Sequence, residues 1–70
     1  EIIIKNMFNL ATEWLAKNDV NKAEKLYYEV LKIDPNHTNS LYNLGLIFQQ
    51  IGQSDKAKTY YEKIIDIIII

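Results

Sequence analysis

Seventy residues make at most one small domain, and chains of this length bury only about 60% of their unfolded surface, so stability is expected to be marginal unless another surface helps. The sequence has no cysteine and one histidine, His37, which excludes disulfide staples, thiolate metal sites and a multi-histidine cluster. A net charge of −1 supplies no field for nucleic acid or an anionic membrane, and no run approaches the ~20 apolar residues that cross a bilayer.

The chain opens on Glu1 rather than Met and is expected to be a piece of something longer. Ile2 to Ile4 is too short for the apolar core of a secretory signal and lacks a basic flank. Met7, Leu10, Ala11 and Trp14 then fall at i, i+3, i+4 and i+7, one face of a helix predicted over roughly 3–17. Asn18, which tolerates the left-handed conformation, ends it, and Asp19 is placed to cap the next helix with its carboxylate. That second helix, roughly 20–33, presents Ala23, Tyr27, Val30 and Leu31 as its buried face. Asp34-Pro35-Asn36 stops it, because proline lacks an amide and disfavours helical geometry in the residue before it. Asn36, Thr38 and Asn39 are all competent caps for a third helix, roughly 38–51, whose face is Leu41, Leu44, Gly45 and Phe48. Gly52 closes it, Ser54 or Asp55 starts a fourth, and Ala57, Tyr61, Ile64 and Ile65 form that helix's inner stripe. After Asp66 the pattern dissolves into Ile67, Ile68, Ile69 and Ile70.

Ala23 and Ala57 lie thirty-four residues apart, and the same offset carries Met7 to Leu41, Asn9 to Asn43, Ala11 to Gly45, Trp14 to Phe48 and Tyr27 to Tyr61. A fixed period of this size marks a repeat array whose units cannot bury their apolar faces alone. Large apolar, leucine, small, aromatic, turn, alanine, aromatic: Leu41, Leu44, Gly45, Phe48, Gly52, Ala57 and Tyr61 run in that order, as do their counterparts. This pattern resembles the tetratricopeptide repeat family, a helix–turn–helix unit of 34 residues. The first copy ends on the proline that pattern asks for, Pro35, whereas the second has Ile69 there, and Val30 and Ile64 fill a site that is usually small. The resemblance implies an all-α fold of two repeats, about 4–37 and about 38–70, with four antiparallel helices in a right-handed α-solenoid segment. Gly45, mid-helix, costs about 1 kcal/mol relative to alanine, and the expected reason is close approach to Ala57, as of Ala11 to Ala23.

Nucleophilic chemistry needs a serine, threonine or cysteine beside a base. His37 near Ser40 reads as an exposed turn residue at a helix start, and the acidic residues are scattered singly among lysines. No enzyme and no cofactor are expected. Trp14, Tyr27, Phe48 and Tyr61 are read as packing, with Tyr28 and Tyr60 half exposed beside them.

The resemblance further implies that the first helix of each pair lines a groove for an extended peptide or a partner helix. The inward positions are Lys5, Phe8, Asn9, Thr12 and Leu15, then Asn39, Tyr42, Asn43, Leu46 and Gln49. Asn9 and Asn43 share one position and resemble the asparagine ladder with which some members hold a peptide main chain. A primary amide offers donors and an acceptor, so it bonds a backbone without reading side chains. The plain alternative is that two asparagines keep an exposed helix face soluble. The carboxylate clamp of some chaperone-binding members is not matched, since Phe8 and Thr12 stand where lysine and asparagine belong. In the other register Asn39 and Asn43 replace a basic pair.

Ile2, Ile3 and Ile4 with Ile67, Ile68, Ile69 and Ile70 read as a self-association surface. The last four could extend helix four onto a neighbour, pair as a strand, or begin a membrane anchor; the first is favoured because uncapped repeats leave apolar surface at both ends. The function expected is protein–protein interaction with a protein or peptide partner. The alternative is a self-assembling homo-oligomer; neither nucleic acid nor, for this stretch, a membrane is an expected partner.

Overall fold

The structure is a computed structural model that describes residues 1–69; Ile70, counted above among the self-associating isoleucines, lies outside the described residues. Four helices follow one another: α1 (Ile2–Ala16), α2 (Val20–Ile33), α3 (Thr38–Gln50) and α4 (Ser54–Ile69). The chain is an all-α helical-repeat segment. α1 begins one residue earlier than expected because Glu1 caps it, its carboxylate accepting from the amides of Ile3 at 2.7 Å and Ile4 at 3.3 Å. α4 carries Ile67, Ile68 and Ile69 as helix, which replaces the strand reading of those residues. Among the described residues no helix is long and apolar enough to cross a membrane.

The two tight turns use one device, thirty-four residues apart. Asn18 and Gly52 adopt left-handed φ of 65° and 85°. The Asp19 amide then reaches the Trp14 carbonyl at 2.9 Å, and the Gln53 amide reaches Phe48 at 2.8 Å. These bonds satisfy carbonyls that a helix end leaves orphaned, and the chain can make them only by turning through positive φ. Asp19 caps α2 as expected, accepting from the Lys22 amide at 3.2 Å.

The start of α3 differs from the sequence expectation. Its cap is none of Asn36, Thr38 or Asn39 but His37, whose Nδ1 accepts from the Ser40 amide at 3.2 Å and lies 2.9 Å from Ser40 Oγ. An amide can only donate, so Nδ1 is an acceptor, the Ser40 hydroxyl donates to it as well, and the ring proton sits on Nε2. The imidazole is tilted against Phe8 with centroids 5.3 Å apart. His37 is therefore half-buried and held in its capping orientation, not an exposed turn residue. Asn36 serves the turn instead, donating its amide to Asp34 Oδ1 at 3.1 Å.

α1 packs on α2, α2 on α3 and α3 on α4, so the middle helices are covered from two sides and the outer ones from one. The buried apolar residues follow that order: Ala11 on α1, three on α2, Leu41, Leu44, Ile47 and Phe48 on α3, and Ala57 on α4. Two expected core positions fail for this reason. Leu10 and Ile65 are 44% and 55% exposed because α1 and α4 each have a packing neighbour on one side only. The small-residue site at Gly45 also differs in detail, since the atoms nearest a Cβ built there belong to the ring of Tyr61, not to Ala57.

Candidate functional site

Tyr27 joins the first helices of the two pairs. Its ring is fully buried, and its hydroxyl lies 3.0 Å from Thr12 Oγ1 on α1 and 3.0 Å from Asn43 Nδ2 on α3. The single proton of Thr12 goes to the Phe8 carbonyl at 3.0 Å, so Tyr27 donates to Thr12 and accepts from Asn43. One phenol from α2 thereby fixes a side chain on each flanking helix. Phe8 packs against the same ring, with centroids 5.6 Å apart at 52°.

The arrangement recurs one period later with one partner missing. Tyr42 packs on Tyr61 at 6.1 Å and 44°, and the Tyr61 hydroxyl donates to Gln49 Oε1 at 2.9 Å. Leu46, the counterpart of Thr12, has no hydroxyl to offer, and Gln49 takes its part from the next turn of α3.

Of the groove residues expected from the sequence, Lys5, Asn9, Thr12, Asn39, Tyr42 and Gln49 are exposed, while Phe8, Leu15, Asn43 and Leu46 are half-buried. Phe8, Thr12 and Asn43 gather at Tyr27, and Tyr42 and Gln49 gather at Tyr61. Lys5, Asn9 and Asn39 stand on the open helix surface. The two asparagines, alike in sequence, thus differ in structure: Asn43 spends one N–H on Tyr27 and keeps the other N–H and its carbonyl oxygen. The linking role of Tyr27 was missed by reading that ring as packing alone. The available signal was a tyrosine at a buried position, since a buried phenol needs a partner.

Among the isoleucines, Ile2, Ile3, Ile68 and Ile69 are 76%, 61%, 73% and 72% exposed, and Ile4 and Ile67 are half-buried. The second helices are joined separately. The Tyr60 hydroxyl donates to that of Tyr28 at 3.4 Å, and the Tyr60 ring stacks on Phe48 at 5.6 Å and 5°. Burial pushes the Tyr28 phenol well above its ordinary range. Lys22 lies over Trp14 at 4.1 Å and Lys56 over Phe48 at 4.7 Å, a cation–aromatic pair that repeats with the period.

Comparison with known proteins agrees with this architecture. A family model described as Tetratricopeptide repeat matches residues 4–37, and a second of the same description matches 26–59. The chain is 29% identical over 65 residues, 91% of its length, to the uncharacterized protein ycf37 of Pyropia yezoensis. It is 26% identical over 57 residues, 81% of its length, to the DnaJ homolog subfamily C member 7 homolog of Schizosaccharomyces pombe. It spans only 36% of the first protein and 12% of the second.

Proposed function

This chain belongs to the tetratricopeptide repeat family, whose repeats are a protein–protein interaction module, and we propose that the exposed face of α1 and α3 holds an extended peptide segment of a partner protein. Repeats of this kind are generally scaffolds rather than enzymes, and the pair Ser40–His37 fits that description. Ser40 is fully buried and its hydroxyl is spent on the cap, where no substrate reaches it.

The observation that carries the proposal is the Asn43 carboxamide, oriented by Tyr27 with a donor and an acceptor unspent. A peptide main chain offers alternating carbonyls and amides, and an amide already held in one orientation binds it with less ordering cost. Asn9 supplies the same group one period earlier, and Tyr42, 51% exposed, offers an apolar edge between α3 and solvent. Recognition through main-chain bonds makes such a face tolerant of side-chain identity. Phe8 and Thr12, which hold Tyr27 in place, are not available to grip a terminal carboxylate.

Selection of linear peptides from a displayed random library on the 70-residue chain supplies the probe, and calorimetric titration of the selected peptides measures it. Asn9→Ala should weaken those peptides about two- to tenfold, the worth of one neutral hydrogen bond. Lys32→Ala, on the exposed surface of α2, should leave them unchanged. Peptides that bind Asn9→Ala as tightly as the unmutated chain would return the asparagines to their solubilising role.

A further inference from the structure

The two ends of the stack carry the two halves of the interface that its middle makes. At that middle α3 lies on α2; Tyr27 is fully buried, as are Leu41 and Leu44 opposite, Leu31 is half-buried against the core, and Leu44 shares one core cluster with Tyr27. One period on, Tyr27 and Leu31 become Tyr61 and Ile65 on α4. Tyr61 is only half-buried and Ile65 is 55% exposed, and with Ala57 and Gln49 they line an open cleft of about 460 Å³. One period back, Leu41, Asn43 and Leu44 become Met7, Asn9 and Leu10 on α1, respectively half-buried, exposed and 44% exposed. Each end lacks what the other offers.

We propose that a second copy of this chain docks head to tail, its α1 seated in the α4 cleft as α3 sits on α2. Leu10 of the second copy then lies against Tyr61 and Ile65 in the place that Leu44 occupies for the first pair. The hydrogen bonding agrees. Tyr27 donates to Thr12 and accepts from Asn43, whereas Tyr61 donates to Gln49 and has an acceptor lone pair to spare. Asn9 of the second copy is the matching donor, and the bond would orient it as Asn43 is oriented. Further along, His37 covers Phe8 at 5.3 Å, while Tyr42, the counterpart of Phe8, is 51% exposed. Ile3, the counterpart of His37 and 61% exposed, is the matching cover. The contact joins different surfaces of two copies and does not close, so it propagates. Glu13 stands where Ile47 is buried, which sets the association below the strength of the internal interface.

Sedimentation velocity from micromolar to millimolar concentration tests this, with circular dichroism confirming that each variant keeps its helicity. Leu10→Glu blocks the head and Ile65→Glu blocks the tail, both at exposed positions. The unmutated chain should form a growing series with concentration. Each variant alone should be monomeric, and their equimolar mixture should give a dimer and nothing larger, since one intact tail meets one intact head. Glu13→Ile, which removes no core group, should move association to several-fold lower concentration even if a glutamate variant fails to fold. A monomeric unmutated chain overturns the proposal and leaves the cleft to another protein or another segment. So does a Leu10→Glu variant that dimerises alone, which would mean that two α4 faces pair with each other, or a mixture no larger than its components.

Discussion

Gly45 lies so close to Tyr61 that a Cβ on it would stand 2.5 Å from Cε1 of the ring and 2.9 Å from Cζ. The first pair has Ala11 and Tyr27 at the same positions, in one core cluster, and there a Cβ is accommodated with both residues fully buried. The two rings differ in what their hydroxyls reach. Tyr27 is drawn between Thr12 and Asn43, whereas Tyr61 leans to Gln49 across the face of α3.

Two effects of opposite sign meet in Gly45→Ala. Alanine gains about 1 kcal/mol in helix propensity, while the displaced ring costs about 1–3 kcal/mol through overpacking. Because Tyr61 is also packed on Tyr42, the second should prevail and the variant should unfold at lower urea concentration. In a Tyr61→Ala background the ring is gone, and the same change should stabilise by about 1 kcal/mol. A change of equal sign in both backgrounds would show that the ring is not why position 45 is glycine.

The two asparagines should separate in stability as well as in binding. Asn43→Ala breaks the 3.0 Å bond to Tyr27 and should cost about 0.5–1.5 kcal/mol, read as a shift of the urea midpoint. Asn9→Ala, at an exposed site, should cost nothing and can gain slightly, since alanine favours helix. Tyr27→Phe should lose less stability in the Asn43→Ala background than alone, because the two share one bond. Equal midpoints for the two alanine variants would mean that the Asn43–Tyr27 bond contributes nothing to the fold.

These contrasts explain what could be read from the residues. Helix bounds were legible to within a residue or so because apolar spacing, Asn18, Gly52 and Pro35 each act locally. The repeat itself was legible because one period carried Met7, Leu10, Ala11, Trp14, Ala23 and Tyr27 each to a residue of like type. Burial was not, since it depends on which neighbour a helix has: Leu10 matches Leu44 in sequence, yet one is 44% exposed and the other fully buried. The same holds for Asn9 and Asn43, whose difference lies in a phenol on another helix. The cap of α3 was hidden by three better-known capping residues around His37, though a ring acceptor three residues before Ser40 has the same reach.

Tyr28 makes stability at alkaline pH a test of the joint between the second helices. Its phenol is raised above the ordinary 10.0 by burial. A folded value above the unfolded one contributes stability that is fully present below the unfolded pKa and is lost as pH rises toward the folded one. The window therefore opens near pH 10.0 and extends upward. Tyr28→Phe gives up the 3.4 Å bond to Tyr60 but cannot ionise, so its urea midpoint should lie lower at neutral pH and approach that of the unmutated chain through the alkaline window. Lysines and the other tyrosines titrate in both proteins and cancel in the comparison. Midpoints that stay equally far apart across the window would show that the folded chain does not disfavour ionised Tyr28.

His37 allows the last test, because its ring does two separable things. It accepts from the Ser40 amide and hydroxyl, and it packs on Phe8. Alanine at 37 removes the cap, worth about 0.5–2 kcal/mol, and leaves the fully buried Ser40 hydroxyl without its acceptor. Asparagine restores an acceptor at capping distance but gives up the ring contact. The urea midpoints should therefore fall in the order His, Asn, Ala. Removing the hydroxyl as well, in His37→Ala with Ser40→Ala, should recover part of the loss, since a hydroxyl that is absent needs no partner. An asparagine variant no more stable than the alanine one would leave the Phe8 contact, and not the cap, as what His37 contributes to the start of α3.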